Sequence, residues 1–238
     1  MAARVSLPTV DVGGVRIAYR REGTGPAVVL LHALASSSST WSSFTRDLVA
    51  SGREVIAVDL RGHGQSSWTG DYLLDSVRQD VVGVLDALGI AGFDLVGHSL
   101  GAHVAALLAG RHPDRVRTLV LEDPPVPPRS GPPRSLRRGL SLFLAVQGLL
   151  RREFDRGMVS PVLAQLRAPD PQWWDGLSAI KAPTLVIGGG PRSTIPGERL
   201  AAMAAEIPHA ELTTIDAGHR IHSTRPADFR DAVLRFLP

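Results

Sequence analysis

The stretch Leu95-Val96-Gly97-His98-Ser99-Leu100-Gly101 sets a serine between two glycines, each two positions away. Strand-forming residues precede it and small, apolar, helix-compatible residues follow. A hydroxyl carried on a sharp strand-to-helix turn is the usual presentation of a serine nucleophile. The turn strains the serine backbone, so the neighbours two positions away must be tiny for it to close. The helix that begins at Leu100 aims its first amides and the positive end of its dipole at the hydroxyl, where negative charge develops during attack on a carbonyl. Ser99 is the candidate nucleophile.

Such a turn needs a strand behind it and a helix ahead of it, and the chain repeats that pairing. Ala27-Val28-Val29-Leu30-Leu31, Val55-Ile56-Ala57-Val58, Phe93-Asp94-Leu95-Val96, Thr118-Leu119-Val120-Leu121 and Thr184-Leu185-Val186-Ile187 are apolar runs expected of strands buried on both faces. Val10 to Tyr19 reads as a hairpin around Gly13-Gly14. Glu211-Leu212-Thr213-Thr214-Ile215 is a more polar strand, nearer an edge. Helical periodicity runs over Trp41 to Ala50, Asp75 to Leu88, Leu100 to Ala109, Arg199 to Ile207 and Pro226 to Phe236. Strands alternating with helices predict an α/β fold, a mostly parallel sheet with helices on both faces. The alternation breaks from Pro124 to Ala182, a segment rich in proline at its start and helical from about Ser135. It is expected to be a small helical cap, 124–182, inserted into a core domain formed by 1–123 and 183–238.

The whole chain is compatible with one such domain. Its 238 residues are 44% hydrophobic and 21% charged, with a formal net charge of +3, which gives no footprint for nucleic acid. Lys181 is the one lysine, and there is no cysteine. Disulfides, thiolate metal sites and a cysteine nucleophile are thereby excluded. Met1 to Val10 carries no apolar run behind a basic flank, and Leu140 to Leu150 is too short to span a bilayer. The expectation is a cytoplasmic protein, monomer or homodimer, without a transmembrane segment. No cluster with metal-ligand spacing stands out, and no cofactor is expected.

Three further stretches join the serine turn. Leu31-His32-Ala33-Leu34 follows the third strand, Asp59-Leu60-Arg61-Gly62-His63-Gly64-Gln65-Ser66 follows the fourth, and Ala217-Gly218-His219 precedes the last helix. Together these resemble the α/β-hydrolase family: a His-Gly oxyanion loop, an Asp-x-Arg-Gly-x-Gly-x-Ser turn, a Gly-x-Ser-x-Gly nucleophile turn and a histidine loop, in that order over nearly the whole chain. The resemblance implies a serine hydrolase whose oxyanion hole is the backbone N–H groups of Leu34 and Leu100. Ala33 departs from the pattern, because glycine is usual there. A positive φ at Ala33 would strain the loop.

Serine requires a base, and histidine titrates near neutrality. Of eight histidines, His219 follows the last strand, within small residues that let its loop descend, and it stands last in chain order. It is the candidate base. His222 either lines the site or packs on the last helix. The third member of a triad is a carboxylate that holds the imidazole tautomer. Most of the family carries it after the seventh strand, where this chain reads Ile187-Gly188-Gly189-Gly190-Pro191-Arg192-Ser193 and has none. Some relatives, including haloalkane dehalogenases, carry it at the end of the sixth strand. Glu122 and Asp123 stand there, on opposite faces, and the count from Asp114-Arg115-Val116 puts Asp123 at the acid position. Those dehalogenases use an aspartate nucleophile, whereas Ser99 implies an acyl-enzyme.

The expected partner is a small molecule with an apolar acyl or alcohol group. Candidate substrate-binding residues are His32, His98, Trp174 and His222, with an apolar cap surface from Leu140 to Leu150. Arg129, Arg134, Arg137, Arg138, Arg151, Arg152 and Arg156 make the cap basic, as for a solvated face. The implied activity is hydrolysis of a carboxylic ester. Lactone, thioester or carbon–carbon bond hydrolysis on the same residues is the alternative, as is a hydrolase-like ligand-binding protein without turnover.

Overall fold

A computed structural model describes residues 6–133 and 153–238 of the chain. Eight strands form one sheet in the order β1-β2-β4-β3-β5-β6-β7-β8. They are β1 Thr9–Val12, β2 Val15–Glu22, β3 Ala27–Leu31, β4 Glu54–Val58, β5 Phe93–His98, β6 Val116–Glu122, β7 Thr184–Gly188 and β8 Ala210–Thr214. β1 pairs with β2, and β2 with β4, antiparallel; all remaining pairs are parallel. The hairpin at one edge and the polar β8 at the other are the two elements whose sequences alternate or carry exposed polar residues.

Three helices set the layers: α1 Ser42–Ala50, α2 Leu74–Ala87 and α3 Leu100–Arg111. Alternate residues of a strand face opposite sides, and β3 shows the result. Val28 and Leu30 pack with Trp41, Phe44 and Leu48 on one face, while Val29 and Leu31 pack with α2 and α3 residues on the other. Each such fully buried side chain contributes about 1.5–3 kcal/mol of apolar transfer free energy. Further along lie α4 Val159–Arg167, α5 Pro171–Leu177, α6 Gly197–Ala204, α7 Ile221–Thr224 and α8 Pro226–Phe236. Among the described residues no helix is long and apolar enough to cross a membrane.

The described part of the insertion packs against α2 and α3. A Cβ at Gly110 would stand 2.5 Å from the Gly176 carbonyl oxygen, so α5 touches α3 backbone to backbone at the end remote from Ser99. Trp173 stacks on His103 (5.0 Å, 7°), and Trp173, Trp174 and Leu177 belong to the main core. α4 is tied to α2 through Gln165, whose side chain accepts from Leu74 N–H (3.0 Å) and donates to the Tyr72 carbonyl (2.9 Å). The apolar stretch 140–150 and the arginines 134, 137, 138, 151 and 152 lie outside the described residues.

Candidate active site

Ser99 stands between β5 and α3 with φ 51° and ψ −115°, and it is half-buried. The two flanking glycines are sterically required. A Cβ at Gly97 would lie 2.5 Å from the Gly101 carbonyl oxygen, and one at Gly101 would lie 2.2 Å from that of Leu31. No backbone atom can yield by such amounts, so only glycine lets the turn close against β3.

His219 enters from the loop after β8. Its Nε2 lies 2.9 Å from Ser99 Oγ and its Nδ1 lies 2.6 Å from Asp123 Oδ2. The acid, the imidazole and the hydroxyl of three distant segments thus form one hydrogen-bonded chain. Asp123 is completely buried, while the His219 side chain is 31% exposed. Only the serine and the edge of the imidazole face outward, and the carboxylate is shielded from water.

Asp123 is one of three non-glycine residues with positive φ among the described residues, at 45°. Its N–H donates to the Ile187 carbonyl (2.8 Å), which pulls the end of β6 toward β7. Gly189 N–H donates to Asp123 Oδ1 (3.0 Å), and the Ser193 hydroxyl donates to Oδ2. The Ser193–Asp123 contact was not legible in the sequence. The loop after β7 lacks a carboxylate, but it grips the one supplied by β6.

Glu122 points the other way, as strand alternation requires. It accepts from His222 Nδ1–H (2.7 Å to Oε2) and from the His222 backbone N–H (2.9 Å to Oε1). His222 Nε2 is 2.9 Å from Thr40 Oγ1. His98 Nε2–H donates to the His219 carbonyl (2.7 Å). Burial pushes the His98 imidazole down to about 3, against the opposing field of Glu122, so the ring is neutral. His98, Glu122 and His222 bring three potential ligand atoms within 4.8 Å of one another. Sequence spacing could not expose this group, because each member comes from a different segment.

The loop after β3 resolves the question raised by Ala33. Ala33 does not have positive φ; the left-handed residue is Ala35, at 60°. Ala35 N–H donates to His63 Nε2 (3.1 Å), and Leu60 N–H donates to His32 Nε2 (3.1 Å). Asp59 accepts Ser38 N–H (2.7 Å) and Gln65 N–H (2.9 Å). The Asp59-to-Ser66 turn therefore holds the 32–38 loop in shape. Leu34 lies in that loop, and Leu100 opens α3, where first-turn amides lack intrahelical acceptors.

The four residues expected to contact substrate are all buried. His32 is fully buried, its Nδ1–H donated to the Ala33 carbonyl (2.8 Å) and its Nε2 used by Leu60. Burial lowers its pKa, with Asp59 opposing. His98 and His222 are buried behind His219 with the partners named above. Trp174 is buried under the Arg129 guanidinium (4.0 Å to the ring centre) and donates its N–H to the Pro127 carbonyl (3.1 Å). Each of the four is held within the fold by the hydrogen bonds or packing partners just named.

A profile of the alpha/beta hydrolase fold family matches residues 26–184. The mouse (Mus musculus) sn-1-specific diacylglycerol lipase ABHD11 is 29% identical, covering 91% of this chain and 82% of its own length. The 2-hydroxymuconate semialdehyde hydrolase of Pseudomonas sp. (strain CF600) is 32% identical, covering 96% and 92%. Among solved structures, Est816, an N-acyl homoserine lactone degrading enzyme, superposes with a TM-score of 0.84 at 27% identity, over 97% of this chain and 100% of that one. Matched in profile, in whole-length relatives and in three dimensions, the chain belongs to the α/β-hydrolase fold family.

Proposed function

We propose that this chain is a serine hydrolase that cleaves a carboxylic ester of a small molecule through an acyl-enzyme, without a cofactor. The observation that carries the reading is the Asp123–His219–Ser99 chain, at 2.6 and 2.9 Å. With Nδ1–H donated to the buried carboxylate, Nε2 presents its lone pair to the Ser99 hydroxyl. Ser99 attacks the carbonyl carbon as His219 takes its proton. The oxyanion is received by the N–H groups of Leu34 and Leu100, each such donor being worth about 100-fold or more in rate. His219 returns the proton to the leaving alcohol, and water then releases the acid by the same steps.

The relatives point to further substrate classes. Est816, a lactone-degrading enzyme, makes a cyclic ester the second class to test, and the Pseudomonas relative is a hydrolase of 2-hydroxymuconate semialdehyde. The two departures that favoured a non-catalytic binding protein lose weight. Asp123 supplies the carboxylate missing after Ile187, and Ala33 carries no left-handed strain.

The test is a panel of activated esters of graded acyl length, with lactones alongside, run on the wild type and Ser99→Ala. The expected result is turnover and covalent labelling of Ser99 by a fluorophosphonate, both lost in the variant. Equal hydrolysis by the two proteins sinks the assignment.

A further inference from the structure

Behind the proposed triad stands a second chain of the same composition. Glu122 precedes Asp123, and His222 follows His219 by three positions. Glu122 takes both the Nδ1–H and the backbone N–H of His222, and His222 Nε2 meets the Thr40 hydroxyl at 2.9 Å. Glu122 is fully buried and His222 nearly so, with the Trp41 ring 4.3 Å from the imidazole at a 32° tilt. Thr40 belongs to the short helical turn Ser38–Trp41, which continues the loop bearing Leu34. His222 lies in α7, which continues the loop bearing His219. His98, one residue before Ser99, adds a third tie through the His219 carbonyl.

We propose that Glu122, His222 and Thr40 form a buried positioning relay that locks the loop of the base to the loop of the oxyanion donor. The relay touches no reacting atom. It fixes where His219 and Leu34 stand relative to Ser99, and it rests on the serine-hydrolase reading above. The adjacent carboxylates divide the labour: Asp123 orients the imidazole that acts, and Glu122 anchors the segment that carries it. The chemistry suits this task. Burial would push Glu122 toward neutrality, but His222, through its imidazole and its backbone N–H, holds it down, at about 2. A carboxylate so held accepts two hydrogen bonds at once, and charge-assisted bonds are roughly twice as strong as neutral ones. Misplacing a reacting group by about 1 Å costs about 100-fold in rate, so a small loosening of the tie is readable in kcat.

The experiment compares the whole chain with Thr40→Val, Thr40→Ser and Glu122→Gln. Ester kinetics and amide hydrogen exchange over residues 218–222 are measured on each protein. Valine keeps the shape of threonine and removes only its hydroxyl, so folding is retained if the glutamine variant proves unstable. The expected result for Thr40→Val is a kcat about tenfold lower, KM within about twofold, and exchange about tenfold faster. Thr40→Ser restores both quantities. Unchanged exchange in Thr40→Val and Glu122→Gln overturns the relay, as does faster exchange with wild-type kcat. Activation by added Zn²⁺ and its loss to a chelator also overturns it, by making His98, Glu122 and His222 ligands instead. A wild type that neither turns over esters nor labels at Ser99, yet shows the exchange pattern, removes the hydrolase reading and leaves the loop tie standing.

Discussion

The Ser193 hydroxyl donates to Asp123 Oδ2, the oxygen that also receives His219 Nδ1. Ser193 Oγ in turn accepts Ile195 N–H (2.9 Å), and Gly189 N–H holds the second carboxylate oxygen (3.0 Å). The acid comes from β6, while its orientation comes from the loop after β7. Asp123→Asn breaks this arrangement, because an amide cannot satisfy three donors and favours the wrong imidazole tautomer. A kcat loss of about 10³–10⁴-fold is expected, with KM little changed. Steady-state kinetics on the ester that the wild type prefers checks it; wild-type kcat would remove Asp123 from the triad.

Ser193→Ala tests the loop's share. It deletes one donor to a buried charge and spares the imidazole contact. A stability loss of about 1.5–3 kcal/mol in urea unfolding is expected, with a fall in kcat smaller than that of Asp123→Asn. A loss of kcat equal to that of Asp123→Asn would mean that the serine does more than hold the carboxylate.

Gly101→Ala addresses the turn itself. The added Cβ meets the Leu31 and His32 carbonyl oxygens at 2.2 and 2.7 Å, both backbone atoms. Forcing α3 away from β3 costs about 1–3 kcal/mol and moves Ser99. The expected variant is less stable by thermal melting and nearly inactive. A fully active variant would show that the turn can open without harm.

Acid stability follows from the buried histidines. Burial pushes His98 down to about 3 and His103 down to about 4, from 6.5. The unfolded chain therefore binds protons that the native chain refuses. Stability is complete above pH 6.5 and falls as pH falls, by about 1.4 kcal/mol per unit for each group down to its native pKa. Glu122, held at about 2 from 4.5, adds a loss of the same sign below pH 4.5. Urea midpoints should drop steadily from pH 7 to pH 5, and a flat profile contradicts the burial argument.

Periodicity and motif chemistry carried the sheet, the serine turn and the juxtaposition of Ser99, His219 and Asp123 a long way. Continuous apolar runs have one stable home in a parallel sheet, and Gly-x-Ser-x-Gly has few alternatives between a strand and a helix. Partners separated by many residues were not legible. Nothing near His32 announces that Leu60 N–H, 28 residues on, occupies its Nε2. Nothing near Ser193 announces Asp123, 70 residues away. The same gap hid the partners of His98, His222 and Trp174, whose hydrogen bonds point into the fold.

Ser99 and Asp123 end neighbouring strands, and both hold a left-handed backbone that glycine would adopt freely. Left-handed geometry costs a non-glycine residue about 1–3 kcal/mol. At Ser99 glycine would relieve that cost at the expense of the hydroxyl, whereas at Asp123 it would also strand the three donors that the carboxylate accepts. Directed evolution of this chain should therefore screen for turnover at every round, since thermal endurance and the serine hydroxyl compete for one pair of backbone torsions.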